Sequence, residues 1–154
     1  MARITCRTPS TGRPISVTSN TVTTDYVTIA ESSDFSIPDT SNRYTTRDPL
    51  DTTRAIRPGE IFFLTPLAAK NKDTVTRWIE VQLVKEDGTI IEMAKVYVPK
   101  EDTAFIPLQG RSIFKRDANS ANGDRIQVRA EVDNIFNVWS SAEEKATNEH
   151  IGVE

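Results

Sequence analysis

Histidine and cysteine are almost absent from this chain of 154 residues, which has one of each, Cys6 and His150. One cysteine excludes an intrachain disulfide. Cys6 stands near the N-terminus with no histidine nearby to activate it, so an inert thiol is expected rather than a nucleophile. His150 lies in a polar C-terminal stretch with no rigid orienting partner, which argues against a Ser–His–Asp or Cys–His site and against a zinc centre. Long apolar runs are missing too. None approaches the roughly 18 residues of a membrane span, and Met1-Ala2-Arg3-Ile4-Thr5 lacks the apolar segment of a secretory signal. Folding in a cytosol is therefore expected, and no membrane partner. The net charge of −3 is mild. The basic residues are scattered without aromatic interleaving, so no nucleic-acid groove is expected. Phosphate-binding and metalloprotease signatures (GxGxxG, Gly-Lys-Ser/Thr, HExxH) do not occur. No cofactor is called for.

What the chain has is strand patterning. The turn signal Asn122-Gly123 opens a run in which Ile126, Val128, Ala130 and Val132 alternate with Arg125, Gln127, Arg129 and Glu131. Period-two alternation predicts a strand with one buried and one wet face. A half-wet antiparallel sheet suits recognition better than the enclosure of a reacting centre. Glu60 to Leu67 is a continuous apolar run after the Pro58-Gly59 turn and predicts a buried strand. Over Val75–Lys85, Ile79, Val81 and Leu83 face one way and Trp78, Glu80 and Gln82 the other. Glu86-Asp87-Gly88 predicts a hairpin, with a return strand over Thr89–Val98. Short strands are predicted at 103–106 and 112–114, and a closing one at 135–139. Ser141–Lys145 reads as a polar tail or the start of a short capped helix. Six or seven short strands at regular spacing predict an all-β fold: an antiparallel β-sandwich, Ig-like or jelly-roll-like, with hairpin or Greek-key connections.

The composition shifts near Thr53. Residues 1–53 carry about twenty Ser and Thr and only isolated large apolar residues. Such a stretch buries too little to offset its ordering entropy. It reads either as a disordered tail or as an extended arm that orders by adding strands to a neighbour's sheet. Tyr26-Val27-Thr28-Ile29-Ala30 is the β-prone run within it. The expected organisation is an arm over 1–53, a sandwich over 54–142 and a polar tail over 143–154.

Few clusters offer chemistry. Glu101-Asp102 and Glu143-Glu144 fall in turns or tails and read as solvated charges. The loop 117–124 is rich in oxygen ligands, but an EF-type calcium loop needs a carboxylate at its twelfth position, where this chain has Val128. It reads as a polar loop, and calcium is the weaker alternative. Trp78 shares a face with Glu80 and Gln82; Trp78 and Trp139 are candidate interface or ligand-stacking residues. Arg43, Arg47, Arg54 and Arg57 cluster at the arm–domain junction, either as a solvated linker or as a grip on an acidic neighbour. With Tyr26, Val27, Ile29, Trp78, Arg125 and Arg129 they make up the candidate partner-binding set.

The order of several motifs resembles a known family. Val81-Gln82-Leu83-Val84, then Asp87-Gly88, Val98-Pro99-Lys100-Glu101-Asp102-Thr103, Ile106-Pro107-Leu108-Gln109-Gly110 and Gly123-Asp124-Arg125-Ile126-Gln127-Val128-Arg129-Ala130 resemble small virion structural proteins of tailed bacteriophages, notably those of aquatic and cyanobacterial hosts. The resemblance covers about residues 60–142. It implies a β-sandwich accessory protein without catalytic residues, and no functional residue transfers. From it follows the expectation of a non-enzymatic virion component assembled in the host cytoplasm. Its partners would be other virion structural proteins (capsid, neck or tail) met in multiple symmetric copies. Head decoration is favoured over a neck or tail accessory role by small size and the arm. A carbohydrate-binding or adhesin-like module is the alternative from another class; an overlooked small hydrolase is a third.

Overall fold

The structure, a computed structural model, describes residues 12–38, 54–117 and 119–146. All of its regular structure is β, in twelve strands. Two antiparallel sheets face each other across one core, as the strand spacing predicted.

The first sheet contains β1 (Arg13–Ser19), β5 (Gly59–Phe63), β6 (Leu67–Asn71), β9 (Thr103–Ile106), β10 (Ser112–Lys115) and β12 (Phe136–Ala146). β12 is its spine. Along one edge it pairs with β1; along the other it meets β6 through Phe136–Trp139 and β5 through Ala142–Ala146. Thus β5 and β6 are one lane, interrupted at Leu64-Thr65-Pro66. The apolar run over 60–67, expected as one strand, divides there because Pro66 cannot donate to the ladder. The interruption is pinned to β12: the Leu64 amide donates to the Ser141 carbonyl (2.8 Å), and the Ser141 amide to Thr65 Oγ1 (2.9 Å).

The second sheet has the order β2 (Val27–Glu31), β11 (Arg125–Ala130), β7 (Arg77–Val84), β8 (Ile90–Val98). β7 and β8 form the predicted hairpin, and Gly88 (φ 93°) supplies the left-handed turn residue. A bulge leaves Met93 unpaired between Ala94, opposite Val81, and Glu92, opposite Gln82. The remaining pair, β3 (Phe35–Pro38) with β4 (Arg54–Arg57), is a separate two-stranded ribbon.

The core is built by the inward residue of each alternation. Ile126, Val128 and Ala130 are at most 1% exposed, and Phe63, Leu67, Ile79 and Phe136 are fully buried. The expectation for the first 53 residues changes here. β1 and β2 fill lanes in the body's own two sheets, and the segment between them crosses from one sheet to the other. Val17, Val22 and Ala30 are buried in the common core. The crossing is closed by the Asn134 amide on the Val22 carbonyl and the Ala130 amide on the Thr23 carbonyl, both 2.8 Å. Isolated apolar residues among Ser and Thr are what a strand with one wet face needs, and Thr tolerates the extended backbone well. The boundary at 53 therefore does not set 12–34 apart from the sandwich; 1–11 and 39–53 lie outside the described residues. At the other end, 143–146 continues β12 against β5, neither tail nor helix, and Glu144 pairs with Arg13 (2.8 Å).

A polar knot joins the ends of several strands. Asp124, buried just before β11, accepts the Glu86 amide on Oδ1 (2.8 Å) and the Phe114 amide on Oδ2 (3.2 Å). Its backbone accepts the Ser32 amide (3.0 Å). The buried Lys115 ammonium donates to Asp34 (3.2 Å) and to the Asp117 carbonyl (2.9 Å). Gly123 has no room for a side chain: a Cβ there would stand 2.3 Å from the Ser32 carbonyl oxygen.

Candidate functional site

Directly paired residues of neighbouring strands share a face, so the register fixes what the outer face of the second sheet displays. Arg129 opposes Glu80, which opposes Lys95. Trp78 opposes Tyr97, and Gln127 opposes Gln82. Tyr26, one residue before β2, completes the Arg129 row.

These groups contact one another. Arg129 Nε donates to Glu80 Oε1 at 2.7 Å. The guanidinium carbon lies 4.7 Å from the centroid of the Tyr26 ring and 6.0 Å from that of Trp78. Lys95 Nζ stands 4.6 Å from the Trp78 centroid and 5.7 Å from that of Tyr97. A polar row runs alongside: Gln82 Nε2 donates to Gln127 Oε1 (2.8 Å), and Gln127 Nε2 to Thr28 Oγ1 (3.1 Å). A shallow cleft of about 240 Å³ between Tyr26, Glu80, Glu92, Met93 and Lys95 opens in the middle. Burial, with the Glu80 carboxylate nearby, holds the Tyr26 phenol above its ordinary pKa. The bond to Glu80 keeps the Arg129 guanidinium all the more firmly charged. Each exposed cation–π or ion-pair contact is worth only about 0.5–1 kcal/mol. Their main effect is to hold long side chains in fixed positions, which lowers the entropy a partner's binding must offset.

The face thus brings together three of the residues singled out in the sequence: Tyr26, Trp78 and Arg129. Arg125 lies on the same face and donates from Nη1 to the Gly123 carbonyl (3.3 Å). Val27 and Ile29 do not join them; both pack against the core, so their contacts lie within the chain. Arg54 and Arg57 lie on β4, paired in register with Pro38 and Phe35. Arg43 and Arg47 lie outside the described residues, as do Cys6 and His150. Lys95, Tyr97, Glu80 and Glu92 complete the face and had not been singled out as site residues.

Trp139 belongs to the opposite surface. Across the outer face of the first sheet, Phe105, Ala68, Trp139 and Thr18 stand in one register row. Phe105 (67% exposed) and Trp139 (43%) rise on either side of Ala68, which is 2% exposed and forms the floor. Next to Trp139 lies a hollow of about 450 Å³ lined by Thr18, Ser19, Asn20, Thr21 and Asn137. Asn137 Oδ1 is buried there with no hydrogen-bond partner among the described residues.

In the oxygen-rich loop the carboxylates are committed to backbone amides: Asp124 as above, and Asp117 Oδ1 to the Asn119 amide (2.9 Å). Among the described residues no three His, Cys, Asp or Glu side chains gather as metal ligands. No helix there is long and apolar enough to cross a membrane.

No family model matches the chain. No curated protein matches it. One solved structure with some likeness is the N-terminal CBM22-1–GH10 portion of Clostridium thermocellum endo-1,4-beta-D-xylanase 10B complexed with xylohexaose. It is 7% identical, covers 86% of this chain and 28% of that one, and has a TM-score of 0.35. The chain spans less than a third of that protein, and so distant a likeness carries no argument about this one.

Proposed function

We propose that this protein is a non-enzymatic structural module that docks onto a protein assembly through the outer face of the β2–β11–β7–β8 sheet. The observation that carries this reading is the Tyr26–Arg129–Glu80–Lys95 ladder with Trp78 and Tyr97 beside it. Its charges are fixed and its aromatic rings half exposed. Aromatic and Arg side chains held in place are what central interface residues are made of. Glu80, hydrogen-bonded to Arg129, is placed to orient a neighbour rather than to shuttle a proton. The motif order described above supports a tailed-phage virion as the assembly, with the partner a capsid, neck or tail protein repeated by symmetry. Head decoration remains the favoured location on grounds of size.

The test is incorporation. Particles assembled with Trp78→Ala plus Arg129→Ala should carry at least about tenfold less of this protein than wild-type particles, since losing two central contacts costs roughly 2 kcal/mol or more. The variant's melting temperature controls for folding. Wild-type occupancy by the folded variant would sink the docking face, and absence of the wild-type protein from purified particles would sink the virion reading.

A second reading, a saccharide-binding module, is favoured by the other face. Trp139 and Phe105 flank an alanine floor, and a hollow lined by Thr18, Ser19, Thr21 and Asn137 lies beside Trp139. Saturable glycan binding by the full chain, lost in Trp139→Ala and retained in Trp78→Ala, would establish it.

A further inference from the structure

The outer edge of β8 is long, apolar and unpaired. The strand is nine residues, Ile90–Val98, and ends its sheet. Among the described residues no strand pairs with its far side. Ile90 (58% exposed), Ile91 (45%) and Tyr97 (62%) line it. Natural edge strands are usually short or heavily charged, because a row of free N–H and C=O groups templates pairing with another strand. This edge has only two charges, Glu92 and Lys95, and neither forms an ion pair with another described residue.

We propose that β8 is a self-association edge that pairs antiparallel with β8 of a second copy, joining two four-stranded sheets across a two-fold axis. The strand's own sequence sets the register. With the axis between Met93 and Ala94, Glu92 faces Lys95 of the second copy and Lys95 faces its Glu92. In the same register Ile90 faces Tyr97 of the second copy and Ile91 faces its Val96, each reciprocally. Every charge meets its opposite and every exposed apolar residue meets another. Such a register would normally fail, because pairing an even with an odd position sets outward residues against inward ones. The bulge at Met93 removes the conflict. Before it the outward residues are Ile90 and Glu92, opposite Val84 and Gln82; after it they are Lys95 and Tyr97, opposite Glu80 and Trp78. An isologous contact requires this kind of self-complementarity, and the two reciprocal ion pairs commit the edge to a second copy over an unrelated strand. The inference stands apart from the virion reading, because its readout is association of the purified chain alone.

Charge reversal tests it. The full-length wild-type chain should sediment as a dimer at about 100 µM and dissociate on dilution. Lys95→Glu sets glutamate against Glu92 twice over, and Glu92→Lys sets lysine against Lys95 twice over. Each should weaken dimerisation by at least about tenfold, because like charges directly opposite in a sheet repel. The double variant Glu92→Lys/Lys95→Glu restores both pairs with the signs exchanged and should dimerise within about threefold of wild type. A wild-type chain that stays monomeric overturns the proposal. So do single reversals that leave association unchanged, or a double reversal no better than the singles. Folding of all variants is followed by far-ultraviolet circular dichroism, and a variant that unfolds is replaced by the milder Lys95→Gln or Glu92→Gln, for which a smaller weakening is expected and an unchanged dimer counts against the pairing.

Discussion

Asp124→Ala isolates the polar knot that ties the hairpin, β10 and β11 together. The side chain is 4% exposed. Its two oxygens serve two amides, those of Glu86 and Phe114. Alanine leaves both donors without a partner, and each unsatisfied buried donor costs about 1–3 kcal/mol. Lys85 Nζ, at 3.8 Å and 40% exposed, adds at most a few tenths of a kcal/mol. Relief of the carboxylate's own desolvation and entry of a water molecule both reduce the loss. The net expectation is about 2–4 kcal/mol of destabilisation. With a urea m-value of about 2 kcal/mol/M, the midpoint should fall by roughly 1–2 M at unchanged slope. Asp124→Asn keeps one acceptor oxygen but turns an NH₂ toward a backbone donor, so it should fall between wild type and alanine.

Asp87→Ala is the control. That carboxylate also accepts a backbone amide, from Thr89 at 3.0 Å, but in an exposed turn where water replaces it. Its cost should stay under about 1 kcal/mol. Hydrogen exchange gives a local readout, because the Glu86 and Phe114 amides should lose protection in Asp124→Ala beyond what the global change accounts for. If Asp124→Ala costs no more than Asp87→Ala, the reasoning that burial rather than bond count sets the magnitude is wrong.

Two further outcomes follow from the core and from the carboxylates. Phe63, fully buried between the sheets, should cost about 3–5 kcal/mol when truncated to alanine; a loss below about 1 kcal/mol in denaturant titration would mean that the two sheets do not share one core there. For Glu86, burial works to raise the pKa, but the amides of Arg116 and Asp117 outweigh it, and the group titrates below its ordinary value. Asp73 is lowered chiefly by the Arg77 side chain and Asp87 by the Thr89 amide. All three bind a proton more readily unfolded than folded. Their contribution is therefore complete above the ordinary carboxylate range, about pH 4–5, and disappears as pH falls through the lowered folded values. Glu86→Gln should flatten part of the acid limb of a stability–pH profile, and a limb unchanged by that substitution would contradict the assignment.

The sequence made some strands legible and hid others for physical reasons. β11 was readable because each apolar residue alternates with a long polar one, and an amphipathic strand carries its own period. β2 was visible as a β-prone run but its place in the body's own sheet was not, and β1 was not visible at all, because a strand at the edge of a sandwich needs only one or two buried side chains. Val17, Val22 and Ala30 suffice, and by composition such a segment is indistinguishable from a linker. The site shows a different limit. Trp78 and Arg129 could be singled out from their strands, but the partner that fixes Arg129 lies 49 residues away, and register between strands distant in sequence is a tertiary property. Lys95 and Tyr97 came closer to being found. Counting back from the Glu86-Asp87-Gly88 turn sets Val84 opposite Ile90, and continuing without interruption sets Trp78 opposite Val96. The observed partner is Tyr97, and the single residue of difference is the bulge.

That bulge links the two proposed surfaces. Were β8 uninterrupted, its outward set would continue as Ile90, Glu92, Ala94, Val96 and Val98, an apolar strip with one charge. Lys95 and Tyr97 would turn toward the core, where an ammonium and a phenol would need partners. One inserted residue sends Ala94, Val96 and Val98 inward and delivers Lys95 and Tyr97 to the wet face beside Trp78. The same residue leaves Glu92 and Lys95 on one face although their positions differ in parity, the condition for reciprocal pairing. A bulge on an edge strand usually discourages another strand from adding. Here it lies on the proposed axis itself, so two identical kinks would meet each other and bend the joined sheets symmetrically, whereas a flat foreign strand would meet only one. The residue that completes the docking face is then also the one that selects a second copy at the edge.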